Sequence, residues 1–308
     1  MKTLSVIYAP DMDFDVGTNT FPIGIKGRLF TTAALASGLP IRIVPPHPMD
    51  RAGIKLAHDS EYVDAVLDLR RDNGLFNRDP AVARALPYHC GGFLDASLIA
   101  LEEGMALMPF SAFHHAEYAD GHGLCTFNAT MVAAMHLRQQ RKAYRIAIID
   151  TDLHYGDGTD HIIAALQLCD IFHFTTGKYF TGPSDAPFYL TRIRQLRDEI
   201  RQFRPDFMFY QAGGDAHLED PFVGPLSTIE MYERDKIVFG ICKELNIPVA
   251  FTLSGGYQRD EDGGFTRQTR LYLNTIRAAL TMPCENDMTD DEVRFARLRV
   301  RDEPVPGS

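Results

Sequence analysis

The stretch Ile146-Ala147-Ile148-Ile149-Asp150-Thr151-Asp152-Leu153-His154-Tyr155-Gly156-Asp157-Gly158-Thr159 decides how this 308-residue chain is read. Four apolar residues, Ile146 to Ile149, run directly into Asp150, Asp152, His154 and Asp157. A short β-branched run suits a strand buried on both faces of a parallel sheet. Ionisable groups crowded just past its end are costly to bury unless they pair or bind something. Open α/β sheets bind ligands beyond the carboxyl ends of their strands. The stretch therefore puts candidate metal ligands where such a fold builds its site.

Outward from this strand, apolar runs alternate with helical periodicities. Strands are expected at Leu4–Tyr8, Ile41–Val44, Met105–Pro109, Arg145–Ile149, Ile171–Phe174, Phe207–Tyr210 and Pro248–Leu253. Helices are expected at Arg28–Ser37, after the capping residues His58-Asp59-Ser60, and at Phe93–Glu103, Asn128–Gln140, Asp160–Leu168, Ser184–Phe203, Thr228–Leu245 and Phe265–Leu280. Asp11–Lys26 and Asp72–Pro80 read as loops, and Gly91-Gly92 as the opening of the next helix. The alternation predicts an α/β fold, a parallel β-sheet sandwiched between α-helices. No repeat, linker or low-complexity segment interrupts it, so one domain over 1–308 is expected, with a charged tail from Pro283 that wraps the surface or stays mobile.

Composition narrows the function. The net charge of −10 argues against nucleic-acid binding through a broad basic surface. A cationic or neutral small substrate fits better, although solubility alone accounts for the acidity. The five cysteines (Cys90, Cys125, Cys169, Cys242, Cys284) are scattered without CxxC spacing, which points to a reducing compartment rather than a disulfide framework or thiolate zinc site. The apolar start is too short for a signal peptide, and no run approaches a membrane span. A cytoplasmic protein without membrane contact is expected.

Three late strand ends carry matching chemistry: Asp150, Asp152 and His154; Asp215; and Tyr257. Asp152 and His154 are two apart and point the same way in an extended segment. Asp215 from another strand end completes a three-ligand set, which is what a catalytic zinc site needs beside an open position. A lone Asp-x-His pair reads more simply as caps and turn formers; three strand ends together weigh against that. His114-His115, after a strand, suit acid–base work near neutral pH, and Asp150 and Asp157 are available to orient them. His122, His136, His161, His173 and His217 read as structural or exposed. Tyr257 follows Ser254-Gly255-Gly256, where backbone can approach a ligand and a phenol can donate to a developing oxyanion. No GxGxxG, Walker or Gly-x-Ser-x-Gly pattern is present, which disfavours nucleotide and serine-nucleophile enzymes.

Taken in this order, the segments resemble the zinc-dependent histone deacetylase family, including its bacterial acetylpolyamine and acetoin-utilisation relatives. The resemblance rests on His114-His115-Ala116, Gly123-Leu124-Cys125-Thr126-Phe127-Asn128, Asp150 to Gly158, Gln211 to Asp215, and Gly255-Gly256-Tyr257. Weaker echoes are His58 to Val63 and Asp220-Pro221. It covers roughly Phe21 to Leu280, and Leu226–Tyr257 is most similar to the class IV branch and its bacterial members. The resemblance implies an arginase–deacetylase fold with a sheet of about eight strands. It implies one zinc held by Asp152, His154 and Asp215. His115 would be the main general base and acid, paired with Asp157, and His114 its electrostatic partner, paired with Asp150. Tyr257 would donate to the carbonyl oxygen, and Gly123 and Leu124 would line the substrate tunnel. A K+ or Na+ ion would lie near Asp150, with Thr175 matching a side chain of that site.

The implied function is zinc-dependent hydrolysis of an acylated primary amine, acetyl-lysine or a small N-acetyl amine, releasing acetate; the oligomeric state is left open. An arginase-like two-metal ureohydrolase and a non-catalytic acyl-amine-binding protein are the alternatives. The first needs further ligands bridging two ions, and retention of every proposed catalytic group weighs against the second. Four departures from the family pattern stand out. Tyr155 replaces a frequent second histidine, Leu124 a usual tunnel phenylalanine, Ser111-Ala112-Phe113 a glycine-rich approach to the histidines, and Ser254 a glycine.

Overall fold

The computed structural model describes residues 3–15, 23–110, 113–180 and 182–285. The expectations for Ser111-Ala112 and for the tail past residue 285 lie outside the described residues. The strands are β1 (Leu4–Ile7), β2 (Ile41–Val44), β3 (Met105–Met108), β4 (Ile146–Asp150), β5 (Ile171–Thr175), β6 (Phe207–Gln211) and β7 (Val249–Thr252). All pair in parallel, in the order β2-β1-β3-β7-β6-β4-β5. Among the described residues the sheet thus has seven strands, close to the expected eight.

β4, β6 and β7 are buried at every position and apolar up to their last residues, Asp150, Gln211 and Thr252, because both faces are covered. Phe207 and Phe209 of β6 enter one core layer, and Met208 and Tyr210 enter the other. Ile146 and Ile148 of β4 part from Ala147 and Ile149 in the same way, as a two-residue repeat requires. The first layer is closed by α2 (Arg51–Ile54), α3 (Ser60–Leu67), α4 (Pro80–Glu103), α5 (Ala129–Gln139) and α6 (Asp157–Ala165), through residues such as Ile54, Val63, Phe93, Met131 and Ile162. The second is closed by α1 (Lys26–Ala36), α7 (Ala186–Phe203), α8 (Thr228–Leu245) and α9 (Thr266–Ala279), through Phe30, Ile193, Val238 and Ile276. Helix starts reflect local chemistry. Asp59, Asn128 and Ser227 each accept a backbone N–H of the first turn, and Ser227 forms a reciprocal capping box with Glu230.

One helix differs from the sequence expectation. α4 begins at Pro80, thirteen residues before Phe93, and spans 24 residues. Pro80 suits a first turn, where no N–H is needed, and Asp79 caps it. Pro87 and Gly91-Gly92 look like breakers in the sequence, yet they serve packing. The Pro87 carbonyl accepts the Met49 N–H at 2.9 Å, so the chain at 47–49 crosses the helix there. A Cβ on Gly91 would collide with the His47 carbonyl oxygen. Residues 16–22 of the loop expected over Asp11–Lys26 lie outside the described residues; its described ends hold short 3-10 turns at Pro10–Met12 and Ile23–Ile25, and Lys26 already belongs to α1.

Four neighbouring strands in the sheet, β3, β7, β6 and β4, end at the same edge. Past these ends lie His114 and His115, Tyr257, Asp215, and the run from Asp150 to Asp157. Among the described residues no helix is long and apolar enough to cross a membrane.

Buried histidines brace the first layer. His58 donates from Nδ1 to the Glu117 carbonyl at 2.9 Å and accepts the Asn128 N–H at Nε2, 2.8 Å away, so its two bonds specify the neutral ring. Burial pulls both His58 and His89 down from 6.5 to about 4. The unfolded chain therefore takes up protons below pH 6.5 while the folded chain does not until about 4. Stability from these rings is complete above pH 6.5 and is lost as pH falls toward 4, by about 1.4 kcal/mol per pH unit per ring. Thermal unfolding monitored from pH 7 to 4 should show this slope, and His58→Gln should make it shallower; an unchanged slope in the variant would exclude His58 as a contributor.

Candidate active site

The three sequence-derived ligands converge. Asp152, His154 and Asp215 each offer a donor atom, all within 4.8 Å of one another. His154 Nδ1 lies 2.9 Å from Asp215 Oδ2 and 3.2 Å from Asp152 Oδ1. Both carboxylates are fixed by further donors. Asp152 Oδ2 accepts from Ser254 Oγ and from the Gly255 N–H, each at 2.7 Å, while Asp215 Oδ1 accepts the Leu153 N–H at 3.0 Å. Gly255 is required here, because a Cβ would run into the Asp215 carboxylate. Behind the pair, fully buried Arg234 donates to the carbonyls of Gly213 (2.7 Å) and Thr151 (3.3 Å), tying the loops after β6 and β4 together.

Charge at this spot is unbalanced. Burial and the adjacent Asp152 carboxylate push Asp215 up to about 8. Burial also opposes ionised Asp152, but His114 and His154 hold it well below the usual carboxylate range. Hydrogen bonds that His154 donates to Asp152 and Asp215 lift its imidazole to about 11. The surroundings favour positive charge, and two carboxylates with an imidazole form a donor set that accepts zinc. The residues present fit such an ion.

The histidine pair lies beside this set. His114 Nδ1 is 2.7 Å from Asp150 Oδ2, and His115 Nδ1 is 2.6 Å from Asp157 Oδ1. Their rings are 4.2 Å apart, but their environments differ. Burial disfavours charge on His114, yet the Asp150 and Asp152 carboxylates outweigh it and raise the ring to about 9. Burial and the neighbouring His114 charge lower His115 below 6.5, against the pull of Asp157. Asp150 also accepts the Asp152 N–H at 3.0 Å and Gln211 Nε2 at 3.2 Å. Both histidines open onto a cavity of about 150 Å³ that Asp152, His154, Gly123, Leu124, Cys125, Phe222, Ser254, Gly255 and Tyr257 also line. Burial and the Asp215 charge keep the Tyr257 phenol far above its ordinary value, so it stays a donor.

Several participants were not visible in the sequence. Phe222, 46% exposed, sets its edge against His154 (4.8 Å) and Tyr257 (5.4 Å) and supplies an aromatic wall in a cavity where Leu124 stands on the tunnel side. Lys26 is buried, donates to the Ser254 carbonyl at 3.1 Å and lies over the Tyr257 and Tyr272 rings. Burial draws its ammonium down to about 8 against Asp215 and Asp152. Tyr155 points away from the ligands: its hydroxyl donates to Asp160, which also holds His173 at 2.7 Å. Thr175 pairs with Asp150 in the β4–β5 register, and its hydroxyl accepts the Gly156 N–H at 3.1 Å. Of the histidines set aside as structural or exposed, His217 is buried against Thr228, whereas His122 approaches Asp157 to 3.6 Å. A lysine in a helix start and a phenylalanine in a loop carry no local mark of these positions.

Comparison with known proteins bears on the family and the fold. The histone deacetylase domain family matches residues 27–185 and 180–270. An uncharacterized protein of Picosynechococcus sp. is 31% identical over 281 residues, 83% of this chain and 92% of that protein. The acetoin utilization protein AcuC of Bacillus subtilis is 25% identical over 62% of this chain and 60% of its own length. The crystal structure of the HDA15 HD domain superposes with a TM-score of 0.75 over 98% of this chain and 94% of that one, at 18% identity, a likeness of fold.

Ser254 offers a direct test of the ligand geometry. Removing a group that orients a metal ligand typically costs 10–100-fold in metal affinity. Ser254→Ala keeps the carbonyl that Lys26 uses and deletes only the donor to Asp152, so it should weaken zinc binding by roughly tenfold. Competition against a chelator would read this; equal affinity in the variant would remove Ser254 from the site's support.

Proposed function

This chain belongs to the histone deacetylase family, and we propose that it hydrolyses the amide bond of an acylated primary amine, acetyl-lysine or a small N-acetyl amine, releasing acetate. One observation carries the reading. Two adjacent histidines, each on its own carboxylate, open into the same cavity as Asp152 and His154 of the candidate metal set and a partly buried tyrosine. Asp152, His154 and Asp215 would hold a zinc ion, which would supply Lewis acidity toward an amide carbonyl and a water molecule.

The chain's own residues supply the rest. His115, neutral at pH 7, accepts the proton of the attacking water at Nε2 while Asp157 holds its Nδ1–H. His114, kept charged by Asp150 and Asp152, stabilises negative charge as it builds up beside it. The Tyr257 hydroxyl donates to the carbonyl oxygen as that oxygen becomes anionic. His115 then returns its proton to the departing amine nitrogen. Leu124 and Phe222 give the entry apolar walls suited to a methylene chain.

A two-metal ureohydrolase needs ligands shared between its ions. Among the described residues the two possible metal-binding groups share no side chain, so the geometry does not favour that alternative. Asp150 with Thr175 is the proposed neighbourhood of a K+ or Na+ ion. All five cysteines are free, in keeping with the reducing, cytoplasmic setting proposed here. The substrate is proposed to be a small amine or an acyl-lysine, without direct nucleic-acid binding.

Acetate release from a panel of acetyl-lysine peptide, N-acetylpolyamines and longer acyl-lysines tests the reading, with zinc content measured on the same sample. Zinc and ligand binding without acetate from any member would instead establish a non-catalytic binder. His115→Phe should lower kcat by roughly two to four orders of magnitude with zinc retained, and full activity would remove it as the base. Tyr257→Phe should lower kcat by about two orders of magnitude; an unchanged kcat would take it out of the mechanism. Because His115 works unprotonated and is held below 6.5, the acid limb of kcat/KM should be centred below pH 6.5. An acid limb centred above that value would contradict the assignment.

A further inference from the structure

A second group of ligating side chains lies beside the cavity. His115, His122 and Asp157 each present a donor atom within 4.8 Å of the other two. Asp157 stands between the rings, with Oδ1 2.6 Å from His115 Nδ1 and Oδ2 3.6 Å from His122 Nε2. The ring centroids are 5.5 Å apart. Glu117 Oε1, 3.7 Å from His122 Nε2, is a further oxygen donor at the cluster. The side chains of His122 and Asp157 are 37% and 39% exposed, whereas those of Asp152 and Asp215 are 2% and 0% exposed. His122 is not among the residues lining the cavity, so this cluster is reached from solvent by its own route.

We propose that His115, His122 and Asp157 form a second, solvent-accessible divalent-cation site, and that filling it disables His115. Two imidazoles and a carboxylate suit zinc or a similar borderline ion, which such donors hold at bond lengths of about 2.0–2.2 Å. The ion takes His115 Nδ1, the nitrogen that faces Asp157. A metal–nitrogen bond forms as the Nδ1–H···Oδ1 hydrogen bond breaks, and the Nδ1 proton is transferred to Nε2. Asp157 exchanges accepting that proton for coordinating the ion. An imidazole with metal on one nitrogen and hydrogen on the other has no lone pair left to accept a proton from water. The site uses no ligand of the first ion, so both sets can be filled at once. Free zinc thereby limits turnover.

The inhibitory consequence rests on His115 being the base; the site itself does not. Protein carrying one equivalent of zinc is titrated with Zn2+ while bound metal is counted by equilibrium dialysis and turnover is measured on the acylated-amine panel. The wild type should take up a second equivalent in the micromolar range and lose turnover by roughly two orders of magnitude as it does so. His122→Ala should match wild-type turnover at one equivalent, bind no second one, and stay active across the same range. A wild type that stops at one equivalent, or a variant that binds the second as well as wild type does, would overturn the site. A second equivalent that depends on His122 but leaves turnover unchanged would overturn the disabling of His115. If no acylated amine is turned over, the metal count alone still decides the site, which keeps its failure separate from failure of the proposed activity.

Discussion

Two carboxylates buried side by side, Asp152 and Asp215, are the constraint on which the rest of the structure depends. Neither has appreciable solvent, and like charges so placed cannot both ionise cheaply. The chain surrounds them with donors rather than separating them. Ser254, the Gly255 and Leu153 backbone amides and His154 all face the pair. Arg234, buried with Asp235, clasps the two loops that carry the pair from behind. Such an arrangement is stable with a cation between the carboxylates, and that is what a hydrolase of this family needs at its centre.

The histidine pair shows how position divides labour between identical side chains. His114 is enclosed and faces three carboxylates, so it carries charge. His115 is also largely buried and sits next to that charge, so it stays neutral. Environments that push two titratable groups apart mark their roles in acid–base chemistry. Accessibility has a cost: the carboxylate that orients His115 is itself half-exposed and has a second imidazole, His122, beside it. A dyad open to substrate is also open to a competing ion.

Much of this was legible in the chain. The seven strands lie where short apolar runs predicted them, and Thr228–Leu245 has the bounds read from its capping residue and periodicity. The run from Asp150 to Asp157, the adjacent histidines, Asp215 and Tyr257 meet at one edge, because parallel strands deliver the residues beyond their carboxyl ends to a common side. The start of α4 was not legible. Pro87, Gly91 and Gly92 resemble breakers locally and are tolerated because a crossing segment packs against them.

The sequence by itself determined the alternation of elements, the Asp152–His154 pair and the adjacent histidines, since each is written in short-range pattern or neighbouring residues. Only the tertiary structure decided that buried Lys26 lies over the Tyr257 ring, that Phe222 returns an aromatic wall where Leu124 removed one, that Ser254 braces Asp152, and that His122 joins Asp157. These are contacts between residues far apart in the chain. Their partners are chosen by strand order and helix packing, and nothing in the local periodicity around them records that choice.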